Sequence, residues 1–83
     1  MKVKVNYFRA TDLATGKRMA ILVNEANYMF VVHPWCIADM NDDYRRSACR
    51  HVINMKGWEP RNMLAYKDWT LLGKYTVEFR GVF

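Results

Sequence analysis

The sequence predicts an α+β fold: a mainly antiparallel sheet of three to five strands packed on one principal helix. Three observations carry the prediction. The first and last segments alternate apolar and polar residues with a period of two, one segment at about 42–56 repeats near 3.6, and turn-forming residues separate the elements. The order reads β-β-β-α-(α or β)-β, and grouping the strands apart from the helix favours antiparallel pairing. At 83 residues the chain reads as a single domain, 1–83. It is too short for the roughly 200 residues of a barrel or two-domain enzyme.

In the first strand Val3, Val5 and Tyr7 point one way and Lys2, Lys4 and Asn6 the other, giving one wet face. Thr11 to Lys17 holds turn formers, with Gly16 placed for a positive φ. Arg18 to Asn24 follows as an antiparallel second strand, and Asn24 to Asn27 as another turn. The unbroken apolar run Tyr28 to His33 suits a central strand buried on both faces, ended by Pro34.

Asp39, Asn41 or Asp42 can cap the helix, and Gly57 can stop it after Lys56. At 100° per residue Tyr44, Ala48, Val52 and Met55 share a stripe with Cys49 on its flank, while Asp43, Arg46, Ser47, Arg50 and Asn54 cover the opposite side. Trp58-Glu59-Pro60 reads as a turn. Residues 61–69 then suit a short second helix, or 69–72 a hairpin strand before a turn at Gly73-Lys74. In the tail Tyr75, Val77, Phe79 and Phe83 face one way and Thr76, Glu78, Arg80 and Val82 the other.

Composition excludes disorder: three Trp, five Tyr and four Phe, 14% of the chain, sit among 52% apolar residues. The longest apolar runs, Met19 to Val23 and Tyr28 to Val32, fall far short of a membrane span, and the Lys-Val alternation at the start has no signal-peptide core. These features predict a cytoplasmic protein. Thirteen Lys and Arg against eight Asp and Glu give a net charge of +5, but the helix segment is balanced and the excess is spread over the strands and tail.

Catalytic apparatus is missing at the level of motif: there is no P-loop, nucleophile elbow or paired helical His motif. The pair His33 and Cys36 is separated by the stiff Pro34-Trp35 bend. Cys36 and Cys49 are too few for a disulfide framework and read as reduced thiols, although one bridge could join them. His33-x-x-Cys36 with Cys49-x-His51 has zinc-like residue types, yet Cys49 and His51 lie about 200° apart on a helix and cannot easily share an ion, which leaves a three-ligand site from His33, Cys36 and Cys49 as the less favoured alternative. The favoured reading packs Cys49 on the sheet and places His51 at the helix edge beside Tyr44. Asp39, Asp42 and Asp43 lack calcium-loop spacing and read as cap and first-turn acids. Neither a cofactor nor a metal is expected, and neither is an enzyme.

What remains is binding. Six methionines and three tryptophans exceed what one helix on one sheet covers, and Trp, Tyr, Met and Arg are the types enriched in interface cores. Trp58, Arg61, Met63, Tyr66 and Trp69, with Arg50 and Arg80, form the expected docking set. Nucleic acid is the alternative partner, with Lys2, Lys4, Lys17, Arg18, Arg46, Arg50, Lys67 and Lys74 as candidate contacts. Asp42 and Asp43 can pair with Arg46, leaving Arg50 freer. Self-association through an edge strand, Val3 to Tyr7 or Tyr75 to Phe79, would give a homodimer. In size and composition, though in no particular motif, the chain resembles the stand-alone accessory proteins that phages and mobile elements use to block host nucleases, polymerases or defence complexes. That resemblance implies an inhibitor acting in the host cytoplasm on a protein or nucleoprotein target.

Overall fold

One strand, β2 (Arg18–Asn24), organises the molecule. It lies at the centre of a five-stranded antiparallel sheet ordered β4-β3-β2-β1-β5, with β1 at Lys2–Asp12, β3 at Tyr28–Pro34, β4 at Glu59–Pro60 and β5 at Tyr66–Glu78. One helix, α1 (Asp42–Val52), packs on one face, preceded by a 3-10 turn at Ile37–Met40. The structure is a computed structural model that describes residues 1–81, with all their side chains except those of His33, Ile37 and Ala38. Val82 and Phe83, the last of the expected tail alternation, lie outside the described residues.

The period-two reading of β1 holds: Val3, Val5 and Tyr7 are buried under α1 together with Ala20 and Leu22 of β2 and Tyr75, Val77 and Phe79 at the other end of the chain. Burying each large apolar side chain here contributes about 1.5–3 kcal/mol. The central position belongs to β2 rather than β3: Ala20 to Asn24 are all buried, whereas Tyr28 is 43% exposed and β3 lies second from the edge. Gly16, at φ 73, turns the first hairpin as expected. Asn24 closes the second by accepting from the N–H groups of Ala26 and Tyr28, both at 3.0 Å.

The helix starts where its caps predict. Asn41 accepts from the N–H groups of Asp43 at 2.8 Å and Tyr44 at 3.3 Å, leaving Asp42 and Asp43 in the first turn. It ends at Val52, four residues short of Lys56. The Val52 carbonyl accepts from the Met55 N–H at 2.9 Å, a tighter turn, and from the Trp58 indole at 3.1 Å, so the α-helical ladder stops there. Its buried side is also rotated from the expected stripe. Cys49, Val52 and Ile53 face the sheet and Ala48 is half-buried, while Tyr44 and Met55 are 38% and 44% exposed. Asp43, Arg46, Ser47, Arg50 and Asn54 are exposed, as the pattern requires.

Residues 61–72 form neither a helix nor a separate hairpin strand. After a turn at 61–65 the chain enters β5, which runs through Gly73-Lys74 without turning. The strand instead absorbs two irregularities against β1. Leu72 is an extra residue between the pairs Tyr7↔Gly73 and Phe8↔Leu71, and a second shift falls at Asp68, whose φ is 57. Gly73 is needed because the Tyr75 side chain folds back over it, where a Cβ would collide with the phenol.

These shifts build a second, smaller core on the sheet face away from α1. Ala10, Ile21, Val23 and Met29 are buried there beneath Phe8, Met19, Val31, Tyr66 and Trp69. The wet face expected of β1 is therefore confined to its first residues, with Lys2 and Lys4 exposed. Because β1 is paired on both sides, Val3 to Tyr7 is no edge and cannot carry a dimer; the edges are β4 and β5.

Candidate docking surface

Much of the aromatic surplus is spent on that second core. The guanidinium of Arg61 lies 4.2 Å from the centre of the Trp69 ring and 4.8 Å from that of Phe8. Trp69 in turn meets Phe8 edge-on at 5.4 Å and Tyr66 at 5.9 Å. Such stacked cations contribute roughly 0.5–2 kcal/mol each, more as water is excluded. Burial lowers the proton affinity of Arg61, and among the described residues neither its buried Nε nor the buried indole nitrogen of Trp69 has a hydrogen-bond partner. Arg61 enters this position because its N–H bonds the Asn27 carbonyl at 3.1 Å, directly after the two-residue strand β4.

The turn that follows is shaped by one side chain. Asn62 Oδ1 accepts from the N–H groups of Leu64 at 3.0 Å and Ala65 at 3.1 Å, which projects Met63 and Leu64 outward at 54% and 88% exposure. Ala65 O accepts from the Leu13 N–H at 3.0 Å, bringing in the other turn, where Leu13 is 52% exposed. Leu13, Met63 and Leu64 thus form an apolar tip on two tied turns. Lys17 and Arg18 follow in the same hairpin as Leu13, and Lys67 pairs with Thr11 at the start of β5.

The expected docking residues divide among three places. Arg61, Met63, Tyr66 and Trp69 share the second face and the tip. Trp58 lies on the helix side, half-buried against Phe30 at 5.6 Å with its indole N–H given to Val52. Arg50 and Arg80 line a separate cleft of about 330 Å³ with His51, Asn54 and Glu78. Leu13 and Leu64 were not singled out by sequence, where each is one leucine among turn residues; what marks them is exposure, visible only once the turns are placed.

The basic residues expected for nucleic acid do not form one patch. Lys4 and Lys74 lie near each other across β1 and β5, as the pairs Lys4↔Thr76 and Asn6↔Lys74 require, and Lys2 lies opposite Glu78. Arg46 is held by Asp42 at 3.1 Å and lies 5.4 Å from the Tyr75 ring centre. Arg50 has no ion-pair partner among the described residues.

The chemistry-bearing side chains are dispersed too. Asp39 does not cap α1: it lies in the first turn of the preceding 3-10 helix, fully buried, taking the Tyr7 hydroxyl at 2.9 Å on one carboxyl oxygen and the Cys36 N–H at 2.7 Å on the other. Arg45 donates to the Asp39 carbonyl at 2.7 Å and to the Tyr75 hydroxyl at 3.0 Å, and that hydroxyl donates to Asp42 at 2.7 Å. The hydroxyl and Arg46 hold the Asp42 carboxyl below its usual range. Cys36 is exposed and Cys49 buried, both as free thiols, and burial pushes the Cys49 thiol up to about 12. His51 lines one groove with Tyr44, at the helix edge. The pairing of Cys36 with the His33 side chain lies outside the described residues. Among the described residues no three His, Cys, Asp or Glu side chains gather as metal ligands would, and no helix is long and apolar enough to cross a membrane. No family model, curated protein or solved structure matches the chain.

Proposed function

We propose that this chain is a small non-enzymatic binding protein, an inhibitor or accessory factor of the kind phages and mobile elements use, which docks on a protein or nucleoprotein target in the cytoplasm and occludes it. The observation that carries this reading is the apolar tip. Three large side chains, Leu13, Met63 and Leu64, stand exposed together on turns fixed by the Asn62 and Ala65 hydrogen bonds. A rigid apolar projection binds with little ordering cost, and contiguous exposed apolar surface is what interface cores are made from. Lys17, Arg18 and Lys67 supply a cationic rim suited to an acidic partner surface. Arg61, Tyr66 and Trp69 act from behind, stiffening the turn that carries the tip, and Trp58 serves the helix end.

Comparing the wild type with the double variant Met63→Asp, Leu64→Asp tests this. Both side chains are exposed, so the fold is expected to persist. Capture of a protein partner that survives nuclease treatment and is lost in the variant supports the reading. Equal capture by both proteins contradicts it.

A further inference from the structure

At the opposite end of β1 from the apolar tip lies the cleft of about 330 Å³ between the end of α1 and the end of β5. Two arginines from different elements converge on it, Arg50 in the last helical turn and Arg80 just beyond β5, with His51 beside them. The walls are fixed by Asn54, whose Nδ2 donates to the Glu78 carbonyl at 3.2 Å and whose Oδ1 accepts from the Arg80 N–H at 2.8 Å. Glu78 is the one acid among the lining residues, and its carboxyl already accepts from the Met1 ammonium at 2.7 Å. Neither guanidinium has an ion-pair partner among the described residues.

His51 also lines a second groove of about 270 Å³, with Val32, Tyr44, Ser47, Ala48 and Val52. Basic cleft and apolar groove therefore meet at His51, and the ring of Tyr44, 38% exposed, stands about two helical turns, roughly 10 Å, from it along α1. We propose that this composite surface binds single-stranded nucleic acid, a phosphodiester lying between Arg50 and Arg80 and a base lying in the groove against Tyr44 and His51. The inference is independent of the docking tip.

Two features favour a phosphodiester over a phosphate monoester. The last turn of α1 offers carbonyls at the negative end of the helix, and the Arg80 N–H is committed to Asn54. A dianion lacks the N–H cradle it would need there. A singly charged phosphodiester held at the rim by guanidinium forks fits, and a neighbouring aromatic face takes bases of any sequence.

The test is fluorescence anisotropy of a labelled oligothymidylate of about a dozen nucleotides, titrated with the purified 83-residue chain between about 50 and 200 mM salt. The wild type should bind with strong salt dependence. Arg50→Ala, Arg80→Ala should weaken binding at least tenfold and reduce the log–log salt slope by about 1.4, the expectation for two lost single-strand phosphate contacts. Tyr44→Ala should lower affinity with the slope unchanged, and Met63→Asp, Leu64→Asp should leave binding intact, which separates this site from the tip. Absence of binding at low salt, unaltered binding by the double arginine variant, or displacement of the oligonucleotide by an equimolar phosphoserine peptide would overturn the proposal.

Discussion

The hydroxyl of Tyr7, under the helix in β1, donates a 2.9 Å hydrogen bond to the fully buried carboxyl of Asp39, 32 residues away. That bond ties a strand of the sheet to the turn that launches α1, and Asp39 holds the turn by accepting the Cys36 N–H as well. Tyr7→Phe keeps the ring and removes one donor from a buried acceptor. We expect unfolding by urea to show a loss of about 1–3 kcal/mol with an unchanged m-value, the cost of an unsatisfied buried polar atom. A change below the error of the measurement would show that the bond contributes nothing net.

Alkaline pH should loosen the same core. Burial raises the Cys49 thiol from 9.0 to about 12, and burial with the Asp39 contact raises the Tyr7 phenol above its usual 10. In both cases the unfolded chain loses its proton first. The stabilisation is complete below the unfolded value and is lost as pH rises toward the folded one. Stability should therefore decline from about pH 9, by up to roughly 1.4 kcal/mol per pH unit for the thiol. Cys49→Ala should be less stable at neutral pH yet show a shallower decline between pH 9 and 10, before Tyr7 contributes. A thiol reagent at pH 8 should label Cys36 rapidly in the native protein and Cys49 only on unfolding.

Gly73 should tolerate no side chain. A Cβ there meets the Tyr75 phenol, which bonds both Asp42 and Arg45. Gly73→Ala should displace that ring and destabilise the fold by about 1–3 kcal/mol, as overpacking does. Tyr75→Phe, which removes the hydroxyl without the clash, should cost less, and thermal unfolding of the two variants checks the order.

Trp58 and Leu64 should respond oppositely. Trp58→Ala removes a half-buried ring packed on Phe30 and the donor that closes the helix at Val52, so a loss of about 3 kcal/mol is expected. Leu64→Ala, at 88% exposure, should change stability by less than about 0.5 kcal/mol. Urea unfolding of the pair separates framework from docking surface.

How much of this was legible in the sequence follows from range. The period-two pattern of Lys2 to Tyr7, the bounds of Arg18 to Asn24 and the Asn41 cap are local, and each was readable. The fate of residues 61–72 was not, because it depends on the two irregularities at Leu72 and Asp68 and on contacts with Phe8 across the sheet. Composition showed more aromatic surface than one helix could cover, but not that Phe8, Tyr66 and Trp69 would build a second core and take it up. The Arg50–Arg80 cleft was half visible: both residues belong to the expected docking set, but nothing local joins the last turn of α1 to a residue 30 positions later, just beyond β5.

The most direct test of the docking account is affinity capture from a nuclease-treated lysate, run in parallel with the wild type and Met63→Asp, Leu64→Asp, after circular dichroism has shown equal folding. The account predicts a protein partner retained through nuclease treatment by the wild type and lost by the variant. A nuclease-resistant partner held equally by both, or no nuclease-resistant partner on the wild type, would contradict it.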